Sequence, residues 1–283
     1  MNDIKIIAEI GWNHMGDMDL AKQMIKAAVA SGATHVKTQV FDEKYLKPGP
    51  WDTDGRREIY KKAQLSKEQL IELKEYSEQN NIEFLASVFS IRDAKLYKEV
   101  TTDIIKIPSF ESRNYQLINY ASENFTKVIM STGTSTISEI KNSLRSASIT
   151  KFVLMHCISS YPCLPENANL QKIDKLRTIV DGNIFYELGY SDHIMGVESS
   201  KVALEYDRVH WIEKHFTVNR NLPGRDNKFA ILPKDLKNLS KYVNMRNQMK
   251  LDLSDGYQYC ESESRKIQTG RFASDETNTI GVD

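Results

Sequence analysis

IKIIAEIGWNHMGDMDLAKQMIKAAVASGATHVKTQVF, residues 4–41, contains the unit from which the whole chain is built. IKIIAEI (4–10) is a near-continuous apolar run, the pattern of a strand buried on both faces. DLAKQMIKAAVASG (19–32) has apolar residues at helical spacing and stops at Gly32, a natural helix end. HVKTQVF (35–41) is a second strand-like run. The alternation continues along the chain, with further runs at IEFLASVF (82–89), DIIKIPSF (103–110), KVIMST (127–132), KFVLMHCI (151–158), IFYELGYS (184–191) and VHWIEKHF (209–216). Helical patterns lie between them, among them SKEQLIELKEYSEQN (66–80) and STISEIKNSLRSA (135–147). The first of these opens on Ser66 with Gln69 three residues on, a capping box. Eight strand–helix units in this order predict an α/β fold, a single-domain (β/α)8 barrel over residues 1–252. A doubly wound sheet lacks support, because no GxGxxG turn follows the first strand.

The length of 283 residues suits such a barrel, which typically takes about 250. Lys plus Arg and Asp plus Glu both total 38, so the formal charge is zero. That balance argues against nucleic acid or an anionic membrane as a partner, since both demand a basic surplus. Cys157, Cys163 and Cys260 form no CxxC pair and no disulfide framework, which suits a reducing cytoplasm. No run approaches the roughly 18 apolar residues of a membrane span, and the N-terminal stretch lacks a basic n-region. The expectation is a soluble cytoplasmic protein.

Two stretches break the regular alternation. Residues 42–65 form a long connection carrying Tyr45, Trp51, Arg56, Arg57 and Tyr60, and connections of this length tend to be lids or binding loops. The polar tail 253–283 has little to bury and is expected to be a strap over the barrel or disordered.

In an α/β barrel the chemistry sits at the C-terminal ends of the strands. Polar residues collected there are Glu9, Asn13 and His14, then Lys37 and Gln39, then Ser87 and Ser90. They continue with Lys106, Ser109 and Glu111, with Ser131, Thr132 and Thr134, and with His156, Ser159, Ser160 and Tyr161. The last two strands add Ser191, Asp192, His193, Lys214 and His215. His193 and His215 stand at equivalent points of successive strands, and the turn LPGRD (222–226) returns Asp226 toward them. Two side-by-side imidazoles with open positions suit a divalent transition ion. Lys37 and Lys106, ringed by hydroxyls, form a receptor for phosphate or carboxylate. The competing reading pairs each lysine with a neighbouring acid, Lys37 with Glu9 and Lys106 with Glu111. His35 and His210, at strand starts on the opposite rim, are read as structural.

Six blocks then carry a resemblance. EIGWNHMGDMDLAKQMIKAAVASGATHVKTQVF (9–41), KIPSFESRNYQLI (106–118), STGTSTISEI (131–140), HCISSYPCLPENANL (156–170), GYSDHIMGVESS (189–200) and EKHFTVNRNLPGRDNKFAILPKDL (213–236) resemble the N-acetylneuraminate (sialic acid) synthases. The related legionaminate and pseudaminate synthases belong to the same family. The resemblance implies a phosphoenolpyruvate-dependent transferase that condenses phosphoenolpyruvate with an N-acyl amino sugar aldehyde. Water is consumed, phosphate is released and a nonulosonic acid is formed. It implies a divalent metal, commonly manganese with magnesium or cobalt as alternatives, held by His193 and His215. Around phosphoenolpyruvate it places Lys37, Ser87, Lys106, Ser109, Ser131, Ser159 and Ser191. Near the reacting aldehyde and sugar it places Glu9, Gln39, Glu111, Tyr161 and Asp226. Glu111, close in sequence to the anion ring, is the candidate to manage the proton of the attacking water, with Glu9 as the alternative. A homodimer is implied as well.

The chain also departs from the family's pattern. No stretch matches the family's usual C-terminal domain, which is similar to type III antifreeze protein and brings an arginine to the partner subunit's sugar site. Arg56, Arg57 and Tyr60 of the 42–65 connection are candidates to take over that contact. Ser87-Val88 stands where members often have Thr-Pro, and Arg225 where the turn before Asp226 usually has proline. Three functions therefore stand side by side: a sialate-type synthase, a synthase of another 3-deoxy-ulosonic acid from an unacylated or shorter aldehyde, and an inactive barrel that binds a sugar acid.

Overall fold

The structure, a computed structural model, describes residues 4–148, 151–179, 185–206, 208–251, 256–268 and 271. Eight parallel strands close into a barrel in sequence order: β1 Lys5–Gly11, β2 His35–Val40, β3 Glu83–Val88, β4 Ile104–Ile107, β5 Lys127–Ser131, β6 Lys151–Cys157, β7 Phe185–Asp192 and β8 Val209–His215. β8 pairs with β1, so no edge is left open. The helices that connect and cover these strands are α1 Met18–Ala30, α2 Arg56–Ala63, α3 Lys67–Gln79, α4 Ile91–Lys98, α5 Tyr115–Asn124, α6 Ile137–Arg145, α7 Lys172–Arg177, α8 Glu198–Ala203 and α9 Pro233–Met249. Each expected strand lies within a residue or so of its expected start, and the (β/α)8 reading of the sequence holds.

The local reasons are those legible in the chain. Ser66 Oγ accepts from Gln69 N while Gln69 Oε1 accepts from Ser66 N, which closes the capping box of α3. α1 starts on Asp17, whose carboxylate accepts from Leu20 N, and Gly32 follows its end at φ +88°, where a Cβ is disfavoured.

Side chains alternate across the strands, so the sheet feeds two cores. One set, including Ile6, Ala8, Val36, Phe84, Ala86, Ile105, Val128, Met130, Leu154, Leu188 and Ile212, packs against the helices. The other points into the barrel, where Ile7, Leu85, Ile129, Val153, Met155 and Trp211 form an apolar plug. Moving two residues toward the C-terminal end from members of that plug gives Glu9, Ser87, Ser131, Cys157 and Glu213. The alternation thus sets a floor of hydrocarbon beneath a ring of polar groups. His35 stays below, tilted against Trp211 at 4.9 Å, in the structural role expected of it.

The chain divides into two compact units, Met1–Val243 and Asn244–Asp283. Within the second, residues 256–268 carry a short 3-10 turn and the helix Ser262–Gln268. Most of the tail expected to form a strap or to be disordered lies outside the described residues. Among the described residues no helix is long and apolar enough to cross a membrane.

Candidate active site

Above the apolar plug four charges run across the barrel. Gln39 Nε2 donates to Glu9 Oε1 at 2.9 Å, and Lys37 Nζ lies 2.8 Å from Glu9 Oε2. Lys37 also donates to Ser87 Oγ at 2.7 Å and stands 3.4 Å from Glu213 Oε1. Glu213 Oε2 in turn accepts from Lys106 Nζ at 2.6 Å. All four side chains are almost fully buried. A buried charge is tolerated only where it is paired and hydrogen-bonded, and here each carboxylate faces at least one ammonium. Burial works against ionisation throughout, and the partners decide the outcome. Burial pulls Lys37 down, but the Glu213 and Glu9 carboxylates outweigh it and hold its pKa above the ordinary value. For Lys106 burial wins over Glu213, and its pKa falls. Burial would raise Glu213, yet Lys106 and Lys37 keep it well below the usual carboxylate range. Glu9, with burial dominant and Glu213 adding repulsion, is raised. Of the two acids, Glu9 is the one poised to take a proton.

Beside this chain lies a cradle of hydroxyls. The Oγ atoms of Ser131 and Ser159 are buried with no hydrogen-bond partner among the described residues. Ser109 Oγ accepts from Gly133 N at 3.2 Å. A Cβ on Gly133 would come within 2.4 Å of Ser159 Oγ and 2.7 Å of Ser109 Oγ, so only glycine lets the three strand ends close on one point. Orphaned buried hydroxyls cost free energy unless a ligand satisfies them. Ser191 Oγ, on the other side, donates to Glu213 Oε1 at 3.4 Å.

The two imidazoles occupy the next level up. The rings of His193 and His215 are 5.4 Å apart, centroid to centroid. Tyr161 lies over His193 at 4.1 Å, and Phe229 packs edge-on to His215 at 5.1 Å. His193 Nδ1 is 2.7 Å from the carbonyl of Ile158; a carbonyl can only accept, so Nδ1 carries hydrogen and a neutral ring has its lone pair on Nε2. Cys157 Sγ is 3.8 Å from the same Nδ1. His215 Nδ1 is buried without a hydrogen bond among the described residues, 3.4 Å from Asp226 Oδ2. Asp226 also accepts from Trp12 Nε1, and burial raises its pKa to about 6. One imidazole with a fixed tautomer and another with an unspent nitrogen fit a divalent cation. Among the described residues no group of three or more His, Cys, Asp or Glu gathers as a complete metal cage. Remaining ligands would therefore come from water and substrate.

Several expectations need correction. Lys106 pairs with Glu213, not with Glu111, whose Oε2 accepts from Asn114 Nδ2 at 2.8 Å in a half-buried position. Lys214 and Asp192 face the helices rather than the lumen and pair with each other. Ser90 caps α4, accepting from Asp93 N. His14 is a loop fastener, bonded to Gly11 O and Gly16 N. The 42–65 connection is not an open loop: it carries 3-10 turns at Glu43–Tyr45 and Pro50–Asp52 and then α2. Arg57 is spent inside it, with Nε on Asp52, Nη1 on Glu43 and Nη2 on the Leu46 carbonyl. Arg56 is bonded within the segment as well, by Nε and Nη2 to Asp54. Arg57→Ala should loosen this segment, read as faster proteolytic cleavage between residues 42 and 65. Unchanged cleavage would mean that the network does not hold it. Tyr60 stacks on Trp12 at 4.6 Å, which ties α2 to the end of β1.

The residue missed outright is Glu213. Its signal was available: His215 points inward, so the residue two before it must also do so. A second omission is Trp12, whose indole bonds Asp226 across a separation that no local pattern reveals.

A family model described as the NeuB family matches residues 24–252. The chain is 30% identical over 282 residues to the N,N'-diacetyllegionaminic acid synthase of Campylobacter jejuni, covering 94% of this chain and 82% of that protein. It is 31% identical over 258 residues to the N-acetylneuraminate-9-phosphate synthase of Drosophila melanogaster, covering 86% and 68%. Among solved structures, the N-acetylneuraminic acid synthetase of Leptospira borgpetersenii, determined in complex with citrate, matches with a TM-score of 0.81 at 31% identity over 95% of this chain and 92% of that one. The chain belongs to the NeuB family. It is an enzyme of the sialic acid synthase type.

Proposed function

We propose that this enzyme condenses phosphoenolpyruvate with an N-acyl amino sugar aldehyde and water to give a nonulosonic acid and phosphate. The observation that carries the reading is the meeting, on one barrel rim, of two buried lysines, two unsatisfied serine hydroxyls and a pair of imidazoles. Lys37 and Lys106 compensate the carboxylate and phosphate charge of phosphoenolpyruvate, and Glu213 keeps both aimed at one point. The hydroxyls of Ser131 and Ser159 become satisfied by phosphate oxygens, beside Ser109. Ser87 and Ser191 hold Lys37 and Glu213 in place.

The enol carbon of phosphoenolpyruvate bonds to the aldehyde carbon, and the aldehyde oxygen takes up a proton. Water adds to the phosphate-bearing carbon, and the tetrahedral intermediate expels phosphate to leave the ketone. A divalent cation at His193 and His215, manganese or alternatively magnesium or cobalt, would supply Lewis acidity toward the aldehyde oxygen. Glu9, raised by burial and bonded by Gln39, is the group that accepts the proton of the attacking water. Glu111 is too far engaged with Asn114 to be the first choice for that role. Tyr161 and Asp226 flank the imidazoles where the sugar enters. Arg56, paired with Asp54 at 2.6 Å, and Tyr60 form the outer contact to the sugar. Arg56→Ala should lower kcat/KM for the sugar aldehyde about tenfold while leaving phosphoenolpyruvate use unchanged. Wild-type behaviour across a panel of aldehydes would remove Arg56 from the site. The enzyme acts as a homodimer in the cytoplasm.

The test is phosphate release from phosphoenolpyruvate with manganese and a panel of acylated, unacylated and shortened sugar aldehydes, with products identified by mass spectrometry. The expected product has the mass of aldehyde plus phosphoenolpyruvate plus water minus phosphoric acid, and the N-acyl sugar is preferred. Preference for an unacylated or shorter aldehyde would move the enzyme to another ulosonic acid. No phosphate release with any aldehyde would mean a barrel that only binds.

A further inference from the structure

β7 and β8 end on the same two-residue arrangement, an outward-facing charge followed by an inward-facing imidazole: Asp192–His193 and Lys214–His215. The two outward residues are register partners across the strands. Lys214 Nζ lies 3.1 Å from Asp192 Oδ2, and both side chains are sealed from solvent. Asp192 is held from several sides: Oδ1 accepts from Ile194 N at 2.9 Å, and Oδ2 accepts from Ser199 Oγ and Ser200 Oγ, each at 2.6 Å. Lys214 donates as well to the carbonyl of Ile194. The residues on both sides of His193 are thus fixed, and one of them is fixed to the residue before His215. The first turn of α8 is drawn into the same network.

A sealed ion pair seldom adds net stability over apolar side chains of similar volume, so stability alone gives little reason for this one. We propose that Asp192 and Lys214 are positioning residues, which set from behind the sheet the spacing at which His193 and His215 take a divalent cation. The proposal rests on the two-imidazole reading given above. A site with only two protein ligands has no third ligand to correct its geometry. The spacing must then come from the backbone that carries the rings, and this pair staples that backbone across the two strands.

The test is manganese binding to the metal-free enzyme, followed by the electron paramagnetic resonance signal of free aqueous manganese. Wild type should bind one ion per chain, and His193→Ala should lose it. Asp192→Asn and Lys214→Met should each weaken binding about 10- to 100-fold, with kcat restored at saturating manganese. The double variant should be no weaker than the worse single one, since both residues act through one contact. Ser199→Ala, which removes a single half-buried hydroxyl, should shift affinity in the same direction by a smaller factor. Wild-type affinity in Asp192→Asn or Lys214→Met, with His193→Ala still unable to bind, overturns the positioning role and leaves the two-imidazole reading standing. Retention of the ion by His193→Ala overturns both. If neither pair variant folds, Ser199→Ala decides: an unchanged affinity refutes the proposal.

Discussion

Lys106→Met should lower kcat/KM for phosphoenolpyruvate by about a thousandfold, roughly 4 kcal/mol of lost stabilisation of the reacting anion. The same change should destabilise the fold by about 3–5 kcal/mol, because it strips Glu213 of its nearest counter-charge inside the barrel. The two effects can be separated. The double variant Lys106→Met/Glu213→Gln removes the uncompensated carboxylate, so chemical denaturation should find much of the stability recovered. Activity should stay low, since the ammonium is still missing. If Lys106→Met instead raised only the Michaelis constant of the sugar, the lysine would belong to the other substrate.

His215→Ala should abolish metal-dependent turnover, a loss of about three orders of magnitude or more, if the imidazoles carry the cation. The ring also packs against Phe229 and Tyr161, so its removal leaves a gap and should cost about 1–3 kcal/mol of stability. Circular dichroism should therefore show the native fold with a modestly lower melting temperature. His193→Ala should behave alike. Full activity in either variant with the metal requirement intact would remove that histidine from the site.

The barrel was legible because strands buried on both faces leave long apolar runs, and those runs recur eight times in this chain. The rim was legible in part. Lys37, Lys106 and the two histidines interrupt apolar runs, and an interruption of that kind is visible without coordinates. Their partners were harder. Pairing Lys106 with Glu111 assumed that closeness in sequence means closeness in space, whereas a barrel brings β4 opposite β8 across its lumen. For Arg57 the difficulty is the reverse: its partners, Asp52 and Glu43, sit in its own segment, and charge alone does not say whether an arginine points outward or folds back. Asp192 and Lys214 were gathered with the lumen residues although the strand period sends them to the other face.

That period has a consequence for how such a chain can change over time. From Leu188 to Asp192 in β7 and from Trp211 to His215 in β8, past the register shift between the two strands, a side chain's role follows from odd or even position. A single residue gained or lost within either of these stretches would turn that strand's imidazole toward the helices and carry Asp192 or Lys214 into the lumen. No compensating substitution nearby would restore both faces at once. A change of length is accommodated more readily in the connections, such as 42–65 and the turn before Asp226, where no strand register is at stake.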